Sequence, residues 1–546
     1  MTTQTPLPEP NSFDLTSQPW VQLHMLDGSV VECSLREVFR LAPQARAVVG
    51  EISTMTFAMT RLLLAILHRA VGGPADVPQW SELWSAAELP TEQIDAYLDH
   101  VADRFDLLHP VTPFYQVAGL TLDSGGVSDL SRLVADVPNN IPYFTTRSGR
   151  ALEAIGYAEA ARWLVHSQSW ETAGRKPSAV TDTRPKRDNC TDPIGVGWCG
   201  NIGGIMVEGR TLRETLLLNL IAGKRPTADL PVWERPPQNG SPEFLNDASA
   251  RGPLTAYTWQ KARIRLVRSG DRVTGVVICN GDRAKLVNQL TSEPMTAWRR
   301  SPNQEKKESL PLAYLPCVHV SARAMWRGIA ALLPSRSGNA LTASGSKYLT
   351  PSVLRWIDTL RNDGALDDRA VIRTRAFGIE YRSNSTMISE IIDDALSMQV
   401  ALLGADAAAL GEQVEQAVQS TDKLVWTLGT LAADVAAASG GDPEGPQQEV
   451  MTSAYAALDA PFRSWLAELG SDTDPLLARA DWDATAQSVV RGLARSVVES
   501  ALDASMVLRP GRTTCTPMAE NSFRRRVATL YAAQSGPAAT VGGRPR

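Results

Sequence analysis

The residue types that most often carry out catalysis lie far apart along this 546-residue chain. His24, His68, His100, His109, His166 and His319 form neither an HExxH nor an HxH pair, so spacing sets no two of them on one metal ion. They read as structural or surface histidines. Cys33, Cys190, Cys199, Cys279, Cys317 and Cys515 include no CxxC, which fits reduced thiols in a cytoplasmic protein better than a disulfide framework or a zinc ribbon. No GxSxG elbow and no GxxxxGK[ST] loop occur, which removes support for hydrolase chemistry and for ATP-driven work. Two acidic pairs, Asp367-Asp368 and Asp393-Asp394, could hold magnesium, but the second sits in SEIIDDAL, which reads as the exposed face of a helix. Gly195, Gly197, Gly200, Gly203 and Gly204 resemble a phosphate cradle only loosely, with no preceding strand and no lysine in place. The expectation is a protein with no catalytic residue, no metal and no cofactor.

Binding chemistry is better represented. The net charge of -5 argues against a nonspecific coat for nucleic acid, since neutralising phosphates takes clustered cations. Local clusters do occur: Arg299-Arg300 with Lys306-Lys307, and the series Arg369, Arg373, Arg375 and Arg382. Each alone would be an ordinary solvated face. The most apolar helical stretch, residues 60–70, is interrupted by Arg61, His68 and Arg69, so no membrane span is expected. The opening MTTQTPLPEP lacks the basic and apolar regions of a signal peptide and reads as a disordered lead-in over residues 1–12.

These residues must be positioned by two kinds of text. Residues 13–388 read as a mixed α/β domain. They hold a hairpin at Asp27-Gly28, a short helix stopped by Pro43, and a buried helix over 51–70. Further helices are expected over 92–105, 151–167, 212–222 and 321–333, with strands within 256–279 and 371–380. Residues 170–204 read as long functional loops. From residue 389 strand signals vanish. Amphipathic helical segments over 391–403, 407–438, 446–470, 483–504 and 521–533 predict an all-α four-helix bundle spanning 389–535, followed by a Gly/Pro-rich disordered tail, 536–546. The fold class is thus α+β, a large mixed domain followed by the bundle.

Several segments, in order, resemble one family. They are TFAMTRLLLAILHRA, HPVTPFYQV, PIGVGWCGNIGGIMVEGRTLRETLLLNLI, TWQKARIRLV, EPMTAWRRSPNQEKK and GIEYRSNSTMISEIIDDAL. Together they resemble the large subunit of the type I-E CRISPR surveillance complex, Cascade (the CasA family). The resemblance covers residues 13–400 in patches, and the bundle by architecture only. It implies a non-catalytic subunit of an RNA-guided antiviral complex. Such a subunit binds the 5′ handle of the guide RNA, reads the protospacer-adjacent motif of double-stranded target DNA from the minor groove, and starts strand separation and R-loop formation. Its further partners are the backbone, handle-binding and small subunits, and a helicase-nuclease recruited after target binding.

By the same resemblance a loop meeting guide handle and DNA falls at Asn140, Tyr143, Phe144, Thr145 and Arg147. The motif-reading loop falls at Thr172, Ala173, Gly174, Arg175 and Lys176, where the family more often shows a glycine run. The strand-separating wedge falls at Arg382, Ser383, Asn384 and Ser385, where many relatives carry a glutamine. Lys285 stands nearest to the family's minor-groove lysine. Taken without the family, Ser383–Ser385 reads as a polar turn before a helix with Ser385 as its N-cap, residues 173–174 as a plain loop, and Tyr143 and Phe144 as core. Two other classes compete with the family reading. One is a stand-alone metabolic enzyme or hydrolase with a helical cap domain, which turnover would reveal; the other is a scaffold binding only proteins. Copurifying guide RNA would favour the first reading.

Overall fold

Asp27 and Gly28 reverse the chain between strands Val21–Met25 and Val30–Cys33, with Gly28 at φ +88°, a left-handed backbone that glycine adopts without a Cβ penalty. A third strand, Ala45–Val49, pairs along the other edge of the first, so Leu23 lies opposite both Val31 and Val48. The helix Leu35–Leu41 between them opens in a capping box of Ser34 and Glu37, which satisfies two backbone N–H groups that the helix cannot satisfy itself. In this computed structural model the described residues are 12–137, 147, 153–186, 190–242, 244–245, 251–333, 345–382 and 384–532. The chain divides into two units, Met1–Leu396 and Ser397–Arg546.

The first unit is built around the helix Ser53–Ala70, in which every residue from Thr54 to His68 is buried. Apolar residues on all its faces make it a core axis rather than an amphipathic cover. It packs against the helices Thr91–His100 and Tyr157–Trp170. Its central charge, Arg61, is buried and grips Glu293 with two bonds of 3.0 and 2.8 Å, while the Tyr257 ring lies 4.5 Å from the guanidinium carbon. Trp198 donates its indole N–H to the same carboxylate at 2.6 Å. Three of the family-like segments therefore meet at one ion pair.

Two further sheets complete the part of this unit that bears on function. Ala262–Ser269 and Arg272–Asn280 form the expected antiparallel pair, with Ile155–Gly156 added at the edge. The helix expected from residue 151 therefore starts only at Tyr157, after Gly156. Residues 253–257, read as strand text in part, form a helical turn, Pro253–Tyr257. The other sheet runs Met387–Gln399, Val371–Arg382, Gly204–Glu208.

Here the structure corrects the sequence reading. Residues 391–403 are not a bundle helix: through Gln399 they are strand, followed by the 3-10 turn Val400–Leu403. Ile388, Ile391 and Ile392 favour the strand, and the open edge of Val371–Arg382 supplies its hydrogen-bond partners. The Asp393-Asp394 pair is consequently not on a helix face. Asp393 accepts two bonds from Arg375, at 2.7 and 2.6 Å, and Asp394 accepts the Met325 N–H at 2.7 Å.

The second unit is the all-α part, with helices Ala408–Ser439, Glu444–Glu468, Pro475–Glu499 and Thr516–Ala532. Gly440, at φ +87°, ends the first of them in the left-handed cap that glycine favours. Trp482 sits at the centre, fully buried, edge-on to Phe462 at 4.9 Å and donating to the Thr421 hydroxyl at 2.9 Å. Residues 1–11 of the lead-in and the tail 536–546 lie outside the described residues.

Candidate nucleic-acid interface

The helix Tyr157–Trp170 stops at Glu171, whose extended backbone (ψ 138°) sends the chain outward into residues 172–176. The strand Val371–Arg382 ends beside it, because the Tyr381 hydroxyl donates to the Trp170 carbonyl at 2.8 Å. Gly200 lies under that hydroxyl, with no room for a Cβ. Gly203 is likewise pressed against the Cys317 carbonyl, whose oxygen accepts its N–H at 2.7 Å. Gly197, Gly200 and Gly203 thus sit where neighbouring chain segments leave no room for a Cβ, whereas Gly195 has open space around it.

Beyond Arg382 the chain turns back into Met387–Gln399 through two successive left-handed residues, Asn384 (φ 57°) and Ser385 (φ 64°). Paired positive φ values permit a tight strand reversal, and Asn tolerates them better than most residues do. The Thr386 N–H bonds back to the Arg382 carbonyl at 3.2 Å. Ser385 therefore sits at a hairpin tip and caps no helix.

The two predicted contact segments meet here. Ala173 donates its N–H to the Ser385 carbonyl at 2.8 Å. Gly174 follows at φ +139°, a backbone that strains any residue with a Cβ, and a Cβ built there would touch the Thr386 methyl at 3.5 Å. Arg175, Arg382 and Asn384 are exposed, while Ala173 is buried. Ser383 lies outside the described residues.

Lys176 departs from the surface role expected of it. Its ammonium is buried and paired with Glu171, and its backbone forms the short strand Lys176–Pro177 against Cys190–Thr191. Burial alone would raise the Glu171 carboxyl, but the bond and charge of Lys176, with Arg132 and Lys261 adding theirs, hold the group below its ordinary value. Lys176 thus braces the loop from beneath.

Of the guide-handle group, Asn140, Tyr143, Phe144 and Thr145 lie outside the described residues. Arg147 is described and well covered. It bonds Asp136 at 2.9 Å and Glu159 at 2.6 Å, with its guanidinium 5.8 Å from the Trp163 ring centre. Two carboxylates of the same unit thus hold its guanidinium in place. Lys285 pairs with Glu308 at 2.5 Å elsewhere in the same unit and joins neither segment's hydrogen bonds.

Three cations of the basic clusters are matched by carboxylates: Arg300 with Glu305, Arg373 with Glu208, and Arg375 with Glu208 and Asp393. Among the described residues no three His, Cys, Asp or Glu side chains are grouped to hold a metal ion. No described helix is long and apolar enough to cross a membrane.

One feature went unread in the sequence. A cavity of about 230 Å³ opens between segment 131–137, the end of the Tyr157–Trp170 helix and the base of the hairpin, with Thr172 and Thr386 both on its wall. Its parts come from three distant stretches, so no local pattern marks it. The nearest signal is His166 and Trp170, four apart and hence on one helix face.

The comparisons with known proteins agree with this geometry. The family model described as CRISPR-associated protein Cse1 matches residues 14–493. CRISPR-associated protein CasA/Cse1 of Thermus thermophilus is 27% identical over 501 residues, covering 90% of this chain and 89% of that protein. The crystal structure of Thermobifida fusca Cse1 superposes with a TM-score of 0.86 at 41% identity, covering 96% of this chain and 98% of that one. Cse1 from Acidimicrobium ferrooxidans gives 0.80 at 28% identity, over 96% and 99%. A chain matched over nearly its whole length, with the same mixed domain and long C-terminal helices, belongs to the Cse1/CasA family, the large subunit of the type I-E Cascade surveillance complex.

Proposed function

We propose that this subunit recognises the protospacer-adjacent motif in double-stranded target DNA through Thr172, Gly174 and Arg175, and starts unwinding with the hairpin tip at Arg382, Ser383, Asn384 and Ser385. It performs no catalytic step, contacts the guide's 5′ handle through the segment around Asn140–Arg147, and later presents the opened target to a separate helicase-nuclease. The observation that carries this reading is the 2.8 Å bond from the Ala173 N–H to the Ser385 carbonyl, which joins the two segments at one surface. The chemistry suits each part. The minor groove offers few distinguishing groups, so a side-chain-free approach at Gly174 reads groove shape as much as sequence. A narrow polar tip can enter a base step at a cost of a few kcal/mol, after which guide pairing replaces the lost duplex almost evenly.

The test uses the assembled complex, with assembly checked by gel filtration. Replacing Ser383, Asn384 and Ser385 by glycines removes the side chains and accommodates the positive φ of positions 384 and 385. It should slow opening of intact duplex by roughly ten- to a hundredfold, with most of the defect gone on a target premelted beside the motif. Gly174→Leu should weaken motif binding on both targets. Wild-type loading of intact duplex by both variants would overturn the assignment.

A further inference from the structure

The cavity behind the hairpin has a composition that the contacts above do not use. At about 230 Å³ it lies just below the roughly 300–1,000 Å³ of pockets for drug-sized ligands, a size that suits one planar ring system. Val134, Trp170 and Ile388 give it apolar and aromatic walls. His166 lines it too and is only 1% exposed. Its Nε2 lies 3.0 Å from the Thr54 hydroxyl, while its Nδ1 has no partner. A buried polar atom left unpaired costs stability, and in native proteins it asks for a ligand or a function. Burial also keeps this imidazole neutral at physiological pH, so it presents one directional hydrogen-bonding site rather than a charge. Arg132 and Arg382 stand on the same wall, and the Arg132 charge also acts on Glu171 there. Two carboxylates share the lining, Glu171, which is paired with Lys176, and the exposed Glu390.

A slot of ring size walled by Val134, Trp170 and Ile388 and by the hydroxyls of Ser131, Ser167 and Thr386, with His166 and two cations on its lining, matches a nucleotide. We infer that the cavity receives a single unstacked nucleotide, its base against Trp170 and His166 and its phosphate toward Arg132 and Arg382. That the nucleotide comes from a DNA strand opened at the hairpin rests on the function proposed above; a free nucleotide has the same chemistry.

The experiment separates the two sources. In one arm the assembled complex is loaded with premelted targets carrying 5-iododeoxyuridine at each position beside the motif in turn, irradiated, and the cross-linked peptides mapped. In the other, dAMP is titrated into the full chain by calorimetry. Ala135→Trp fills the cavity from its wall, and His166→Phe removes the unpaired nitrogen while keeping a ring; both are checked for folding by thermal melting. A cross-link to the peptide holding His166 and Trp170 from one position, lost in Ala135→Trp, supports a strand nucleotide. Saturable dAMP binding lost in the same variant supports a free one. Absence of both signals, or signals that Ala135→Trp leaves intact, overturns the inference. If instead the glycine-substituted hairpin opens intact duplex at wild-type rates while the cross-link persists, the proposed function fails and the nucleotide site stands.

Discussion

At the residue scale, the pairing of Lys176 with Glu171 separates neighbours that the sequence makes look alike. In TAGRKPS two adjacent cations are equivalent as text, yet Arg175 is exposed and Lys176 is buried. The deciding partner lies five residues back across a helix end, where the periodicity rules for helices no longer apply. Glu171→Gln should therefore leave an uncompensated buried ammonium and destabilise the chain by about 3 kcal/mol in urea titration. Glu171→Gln with Lys176→Met should recover most of that loss, since both charges are then gone. A single variant as stable as the parent would mean that the pair does not brace the loop. Arg147 is likewise placed by partners remote in sequence: Asp136 and Glu159 hold its guanidinium.

At the scale of elements, the bundle helices were legible because each carries its own apolar face, and the strand Met387–Gln399 was not. SEIIDDALSMQ places apolar residues at spacings that suit a helix, and only the neighbouring strand Val371–Arg382, remote from any local pattern, settles the matter. Tertiary pairing overrides propensity there. Within the bundle, Trp482 gathers Phe462 and Trp465 around it and bonds Thr421 on the facing helix. Trp482→Ala should cost about 3–5 kcal/mol, and Trp482→Phe distinctly less, because most of the volume is kept while the indole bond is lost. Loss of helical circular dichroism against temperature measures both. Equal melting curves for the alanine variant and the parent would show that the packing around Trp482 contributes little.

At the scale of the whole molecule, the segments that betray the family are those that build its core. TFAMTR, GWCGN and EPMTAW converge on Arg61, Trp198 and Glu293, so they identify the fold and say nothing directly about the target. The proposed contact loops are short and carry no periodic pattern, so the sequence pointed to them only through the flanking segments of the resemblance. Burial also fixes how this protein answers to acid. His68 and His166 are both held down to about 3, chiefly by desolvation, with Arg225 adding to the effect at His68. A histidine in the unfolded chain titrates near 6.5, so as pH falls below that value the unfolded state takes up protons that the native state refuses. Stability should therefore decline between about pH 6.5 and 3, by up to roughly 1.4 kcal/mol per pH unit for each histidine. His68→Gln should flatten that decline in urea midpoints measured at pH 7, 6 and 5, and an unchanged slope would count against a buried neutral His68.

The bond from Ala173 to Ser385 has a consequence for fidelity. On the proposed function, this bond couples the loop 172–176 to the hairpin tip, so a poorly fitting motif under the loop would shift the tip as well, and discrimination would begin in the first encounter, before the duplex opens.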